Sequence, residues 1–452
     1  MYTSYIGKRL IELYNEKKGT SISAEEFFDT ILYPLFFSDE KHFINVANSS
    51  FFQSVSQKQL DTGKSIHEIK LERFHKNVKE DGASLTTLVG YAAQDVAAGT
   101  SGQLTNIVLG IDPYEMYASW AGIGLAISMG GGYSMIIDDP EILFGIYEGW
   151  YFYRKFLLQT PNLKGNQIEV WNSYWLCHRI SNLYDPLNPL SGFELPQPVP
   201  CKAEKWRKMG LMEFESINWV KVVFALSKKY PKSIYTINAF KFADTNQTLG
   251  FINLYLPEIK RLYEIRDTIF FSKTDSILTD EEIESLSTFF FFKDACKLGT
   301  IGLKAIEPDK LREYMPKGTA IYSLGKDFKF LDDESYTQYK LFKTWIIAML
   351  NKTELLNMAS SVAQILIEID GQSKEAKRGK TTTDQENKKI IESKSVKNFI
   401  EELTGIIEKS PSNSQLIRKV LEEVLKMPYD LFPLFITLIK FEYNYKTLTT
   451  NN

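Results

Sequence analysis

The chain has 452 residues, of which 44% are hydrophobic, 24% charged and 13% aromatic, and its formal net charge is −3. This is the make-up of a globular protein long enough to bury two or three domain cores. It excludes a global basic field drawing in nucleic acid, so any such affinity rests on local clusters.

Three cysteines, Cys177, Cys201 and Cys296, lie far apart and are odd in number. They make neither a disulfide framework nor a CxxC zinc pair, which fits a reducing cytoplasm. The four histidines, His42, His67, His75 and His178, show no HxH or HxxxH spacing. The expectation is no metal and no cofactor.

The N-terminus reads as an amphipathic helix over Tyr5 to Lys18, with Ile6, Leu10, Leu13 and Tyr14 on one face and Gly19 as its stop. It lacks the apolar core and cleavage site of a signal peptide. Ser23 and Glu26 form a capping box for a second helix, which Pro34 is expected to kink or end. His42 to Gln59 mixes aromatics with Asn, Ser and Gln. Such side chains can bond their own backbone in a loop, or read base edges and phosphates; both readings stand. Asp61 to Lys79 follows as a charged helix.

The stretch from Tyr91 to Tyr153 organises the first half of the chain. Thr100-Ser101-Gly102-Gln103 predicts a tight turn into a strand, Leu104 to Leu109. Ile123 to Met129 and Tyr133 to Ile137 read as two strands joined by Gly130-Gly131-Gly132. Asp139 and Pro140 then start a helix as N-cap and first residue. Met116 to Ile137 is uncharged and long enough to span a bilayer. Its five glycines and acidic flanks predict a buried hairpin instead, and no membrane association.

Trp171, Trp175 and His178 recur at helical spacing and predict a core face, the alternative being a stacking platform. Asp185 to Pro200 is Pro-rich and marks a connector. From Cys201 to Lys232 eight Lys/Arg face three Glu, with Lys202, Lys205, Arg207 and Lys208 gathered around Trp206. Basic residues around a Trp suit phosphate contact plus base stacking, or equally a solvated helix face. Ser233 to Leu256 alternates as strands, Pro257 opens a helix and Thr279 caps another.

From Glu334 the apolar spacing is helical, interrupted by Gly371 to Lys389, which reads as a flexible basic loop. The expected fold is α+β: a mixed N-terminal region with a buried sheet and packed helices, then a C-terminal α-helical bundle. The expected domains are 1–185, 186–333 and 334–452.

Catalytic signatures are sparse. There is no GxxxxGK[ST] and no GxSxG, and Gly122-Ile123-Gly124 is too short for a dinucleotide fingerprint. Asp244 followed by Glu258 and Lys260 superficially matches the acidic-plus-ExK pattern of Mg²⁺-dependent nucleases. Pro257 as a first helical residue makes Glu258 a first-turn acid instead.

The order of features resembles the large subunit of type I CRISPR Cascade complexes, in the type I-B-like branch. The resemblance is carried by the N-terminal helix pair, Asn48-Ser49-Ser50 with Gln53 and Gln57, the turn Thr100 to Asn106, the Gly-rich apolar hairpin, and a helical C-terminus ending in LFPLFITLIKFEYNY. It spans most of the chain. The CxxC zinc ligands often found in that branch have no counterpart, since Asp61 to Ala83 holds no cysteine.

The resemblance implies a non-enzyme that inspects duplex DNA for the protospacer-adjacent motif, helps open it and recruits a helicase-nuclease. Guide pairing reads the sequence while protein reads the motif and the strand backbones. It assigns Asn48, Gln53, Gln57, Ser101, Gln103 and Asn106 to motif or minor-groove contact. Lys202, Lys205, Arg207 and Lys208 would hold DNA backbone, and Lys377, Arg378, Lys380, Lys388 and Lys389 the displaced strand. The implied partners are CRISPR RNA-containing Cascade subunits, target DNA and the helicase-nuclease. The competing readings are a stand-alone metal-dependent DNA endonuclease or other restriction-type phage-defence protein using Asp244, Glu258 and Lys260, and an aromatic-rich structural or interaction protein that binds no nucleic acid.

Overall fold

The computed structural model describes residues 1–46, 49–90, 110–241, 247–269, 278–309, 311, 333–350, 353–376, 389–428 and 431–450. The chain divides into two units, Met1–Lys260 and Arg261–Asn452. The protein is mixed α+β, with a sheet and packed helices in its N-terminal half and helices at its C-terminus.

In the first unit, helix Tyr2–Lys18 buries Ile6, Leu10 and Ile11 and ends on left-handed Gly19. It crosses helix Pro113–Gly124 at backbone contact. A Cβ on Gly7 would lie 1.7 Å from the Ala118 carbonyl oxygen, and one on Gly122 would lie 1.9 Å from that of Thr3. Only hydrogen fits at either position. Ser23 and Glu26 form the expected capping box. Pro34 neither breaks nor sharply ends the second helix: a wider π turn, Phe28–Leu32, precedes it and leads into Tyr33–Phe36.

Helix Pro113–Gly124 corrects the reading of Ile123 to Met129 as one strand. Asp112 caps it, accepting from the Glu115 amide at 2.8 Å, with Pro113 at its first position. Every residue from Met116 to Gly124 is buried, so the helix shows no polar face. An apolar run buried on all sides carries no period that separates helix from strand. Strand β1 is only Ile127–Ser128. It turns through Gly130, Gly131 and Gly132, all at positive φ, into β2, Tyr133–Ile137. The predicted strand Leu104 to Leu109 lies outside the described residues.

The sheet is completed from far along the chain. With β3 (Pro198–Pro200) and β4 (Met212–Phe214) forming a separate antiparallel ribbon, β2 pairs with β5, Ile234–Lys241, and β5 with β6, Gln247–Tyr255. All these pairings are antiparallel, with Met135 opposite Ala239 and Ile237 opposite Ile252.

Helix Pro140–Gln159 starts as its sequence predicts, the Asp139 carboxylate accepting from the Glu141 and Ile142 amides at 3.0 Å. Helix Ile168–Arg179 packs on it through Trp171 and Trp175. Their indole N–H groups donate to the carbonyls of Gly149 at 3.0 Å and Gly145 at 2.8 Å. Trp171, Trp175 and His178 are therefore core, not a stacking platform. Asn172 donates to the carbonyls of Gly124 and Ala126, satisfying the end of the Pro113–Gly124 helix.

In the second unit, helices Thr353–Ala376, Val396–Lys409, Ser414–Lys426 and Phe432–Thr450 share one aliphatic core around Leu366, Leu403, Val420 and Phe435. The first of these runs into the segment read as a loop, through Ala376, because Ser-Lys-Glu-Ala propagates an existing helix at little cost. Among the described residues no helix is long and apolar enough to cross a membrane.

Candidate nucleic-acid interface

The loop that carries His42 is pinned by two cations, the buried Arg154 and the half-buried Lys41. Arg154, on helix Pro140–Gln159, is 7% exposed. Its Nε donates to the Leu35 carbonyl at 2.7 Å, Nη2 donates to the same oxygen, and Nη1 donates to the Lys41 carbonyl at 3.0 Å. The guanidinium lies 4.4 Å from the Phe43 ring and 3.7 Å from the Asp39 carboxylate. Lys41 reaches the other way, its Nζ donating to the carbonyls of Leu157 at 3.2 Å and Thr160 at 2.7 Å. Arg154 thus satisfies the Leu35 carbonyl at the end of helix Tyr33–Phe36, and Lys41 adds a bond to each of two carbonyls that close helix Pro140–Gln159.

Segment Pro161–Gln167 packs against this loop. A Cβ on Gly165 would lie 2.5 Å from the His42 carbonyl oxygen, so glycine is required for the approach. Tyr153 fixes the segment by donating its hydroxyl to the Gly165 carbonyl at 2.5 Å. The β3–β4 ribbon docks on its other side. The Lys164 amide donates to the Met212 carbonyl at 3.0 Å, and the Met212 amide to that of Asn162 at 2.8 Å. The short helix Glu204–Lys208 lies in the connection between β3 and β4, and it carries Trp206.

These three segments enclose a cleft of about 320 Å³. It is lined by the rings of His42, Phe52 and Trp206, by the apolar Ile44, Leu163 and Leu211, and by Asn45 and Asn166. His42 meets Phe52 edge-on at 4.9 Å. Burial, helped by the charges of Lys70 and Arg154, pushes the His42 imidazole down to about 4. It is neutral at physiological pH, with one ring nitrogen donating and the other accepting. Lys164 pairs with Glu213 at 3.2 Å and lies 5.7 Å from the Trp206 ring centre; Lys205 lies 5.5 Å from the same ring. A second groove, of about 510 Å³, alternates Lys64, Glu72, Lys76 and Glu80 and is closed on itself by ion pairs.

The predicted site residues divide into four sets. Lys202, Lys205, Arg207 and Lys208 are all exposed beside Trp206; Lys208 is paired with Glu204 at 3.0 Å. Gln53 is exposed next to Phe52 and accepts from Arg73 at 3.5 Å, and Gln57 opens a short exposed helix and donates to Asp61 at 3.1 Å. Asn48, Ser101, Gln103, Asn106, Lys377, Arg378, Lys380 and Lys388 lie outside the described residues. Lys389 is exposed in the second unit.

The structure brings His42, Ile44, Asn45 and Phe52 to the same cleft as Trp206; Gln53, Gln57 and the cations beside Trp206 do not line it. Sequence reasoning missed Lys41, Lys164 and Asn166, which carry no local motif. Of the nuclease set, Asp244 lies outside the described residues, Glu258 is buried and Lys260 is half-buried. Among the described residues, no group of three or more His, Cys, Asp or Glu is placed to hold a metal ion. No protein-family model, curated protein or solved structure matches the chain.

Proposed function

We propose that this chain is a non-catalytic nucleic-acid-binding subunit. Its specific role in this reading is the large subunit of a CRISPR RNA-guided DNA surveillance complex, recognising the protospacer-adjacent motif, holding the opened target and recruiting a helicase-nuclease. The observation that carries the reading is the convergence of two sequence-distant segments on one cleft. The Asn/Ser/Gln-rich segment supplies His42, Asn45 and Phe52, and the basic ribbon supplies Trp206 among Lys202, Lys205, Arg207 and Lys208. Exposed surface cations beside an aromatic ring are what strand binding needs: charge for phosphates and a π-face for bases. With a net charge of −3, most of the affinity would come from this local face and from partner subunits.

The test is affinity purification of the tagged chain from its native host with sequencing of bound RNA. Short RNAs of uniform length with a repeated flank, together with partner subunits, are expected. Absence of both removes the CRISPR role, and Mg²⁺-dependent cleavage abolished by Glu258→Ala would replace it with the nuclease reading.

A further inference from the structure

We infer that the cleft under Trp206 receives a single unstacked nucleobase, while Lys202, Lys205 and Arg207 hold the phosphates beside it. This rests on the nucleic-acid reading above and adds to it a site and a ligand class.

Size sets the first limit. At about 320 Å³ the cleft is at the small end of small-molecule sites, which run from about 300 to 1,000 Å³. That is room for one ring system with its sugar. The walls set the second. Trp206 and Phe52 are each 37% exposed, so folding leaves part of both rings uncovered at the cleft. A π-face of this kind stacks any base.

Polarity sets the third limit. The groups at the cleft that can address a base edge are neutral ones: the amides of Asn45 and Asn166 and the uncharged His42 ring. Together they offer donors and acceptors without a net charge to desolvate. The cations that line the interior are committed, Lys41 to two backbone carbonyls and Lys164 to Glu213, and Glu40 lines the same space. A bare phosphate would find an apolar floor and an acid there. The exposed cations stand outside, on the helix that carries Trp206 and just before it. Ring inside and anion outside is the layout of a nucleotide. Bases within a duplex are stacked and out of reach, so the ligand is a base in a single strand or one turned out of a helix.

The experiment uses the full-length chain and a fluorescent single-stranded DNA oligonucleotide, with versions carrying 2-aminopurine or an abasic site. The variants are Trp206→Ala, Trp206→Phe and the triple Lys202→Glu/Lys205→Glu/Arg207→Glu. Circular dichroism checks that each folds. Trp206→Ala is expected to weaken binding on the order of tenfold, with Trp206→Phe recovering most of it. The 2-aminopurine signal should be quenched by the wild type and not by Trp206→Ala, and an oligonucleotide abasic throughout should bind wild type and Trp206→Ala equally. If the triple reversal weakens binding while Trp206→Ala and abasic substitution change nothing, the base cleft is overturned and the nucleic-acid reading stands. A parallel titration with deoxyadenosine monophosphate separates the two sources of a nucleobase. Trp206-dependent binding of the mononucleotide, with none of the oligonucleotide, keeps the cleft and removes the strand. Binding of neither overturns both.

Discussion

The core of the first unit and the helical cluster around Leu366 in the second are built on different chemistry, although elsewhere in the second unit Trp345 also donates to a carbonyl, that of Leu303 at 2.9 Å. In the first, rings meet rings: Phe28, Phe37, Phe51, Phe74, Tyr117 and Trp120 form one cluster, with Phe37 stacked on Phe51 at 4.2 Å. Indole N–H groups tie that unit to specific carbonyls, Trp120 to Thr87 at 2.9 Å, Trp171 to Gly149 and Trp175 to Gly145. The core among the C-terminal helices is Leu, Ile, Val, Ala and Phe, without such anchors in its buried cluster. An aliphatic stripe asks only for volume and period, and tolerates exchange. A core with directional bonds fixes where separate stretches of backbone lie. The cleft needs that, since it is assembled from segments near His42, Gly165 and Trp206.

The largest test of this contrast is Gly122→Val against Leu366→Ala. The valine would drive side-chain atoms into the Thr3 carbonyl, where backbone cannot give way, so its cost should exceed the ~1–3 kcal/mol of ordinary overpacking. Leu366→Ala leaves a cavity among neighbours free to relax, at ~2–5 kcal/mol, confined to the second unit. Six of the seven tryptophans lie within Met1–Lys260, so indole fluorescence during urea unfolding reports chiefly on the first unit. The expected result is loss of its cooperative transition in Gly122→Val and little shift in Leu366→Ala. Equal shifts would show that the two cores do not behave differently.

The same contrast explains what was legible in the sequence. Ser23 with Glu26, Asp139 with Pro140 and Thr279 with Glu282 are local caps, each complete within a few residues, and all three form. Asp112-Pro113 carries the same signature and was overlooked because the apolar, glycine-broken run behind it resembles a strand. The Gly7 and Gly122 crossing has no local trace at all, since each glycine is explained only by the other helix. For the cleft, Trp206 among its bases and the polar segment after His42 stood out by composition. Lys41, Arg154, Lys164 and Gly165 did not, because their roles are contacts with residues distant in sequence.

A smaller test compares two buried indoles of the first unit. Trp171→Phe removes the indole bond to the Gly149 carbonyl, which keeps its intrahelical partner, a loss of ~0.5–1.5 kcal/mol beyond the change in volume. Trp150→Phe should cost less, because the Trp150 N–H is buried with no partner among the described residues and its removal relieves an unmet donor. Urea midpoints give the order directly. If Trp150→Phe proves the worse of the two, ring packing rather than directional bonding holds this core.

The smallest expected effect is a dependence on pH. His42 is pushed down to about 4 by burial first, then by Lys70, Arg154 and His67, with Asp39 opposing; unfolded, it titrates near 6.5. As pH falls, the unfolded chain takes up the proton first. Stability from this group is therefore full above about 6.5 and is lost progressively as pH drops from 6.5 through 4. Glu169, buried against Ser134, runs the other way: burial raises its carboxyl, so it favours the folded state below its ordinary value of 4.5 and less so as pH rises. The two effects oppose each other in the range above 4.5, so the histidine is isolated by difference. Midpoints measured across pH 7.5 to 4.5 should fall more steeply with decreasing pH in the wild type than in His42→Phe, which keeps a ring against Phe37 and Phe52. The buried aliphatic cluster of the second unit contains no titratable side chain, so its transition should ignore that substitution. An unchanged slope in His42→Phe would mean that the imidazole titrates in the folded protein as it does unfolded, near 6.5, and the cleft would then present a cation to its ligand below that pH rather than a neutral donor and acceptor.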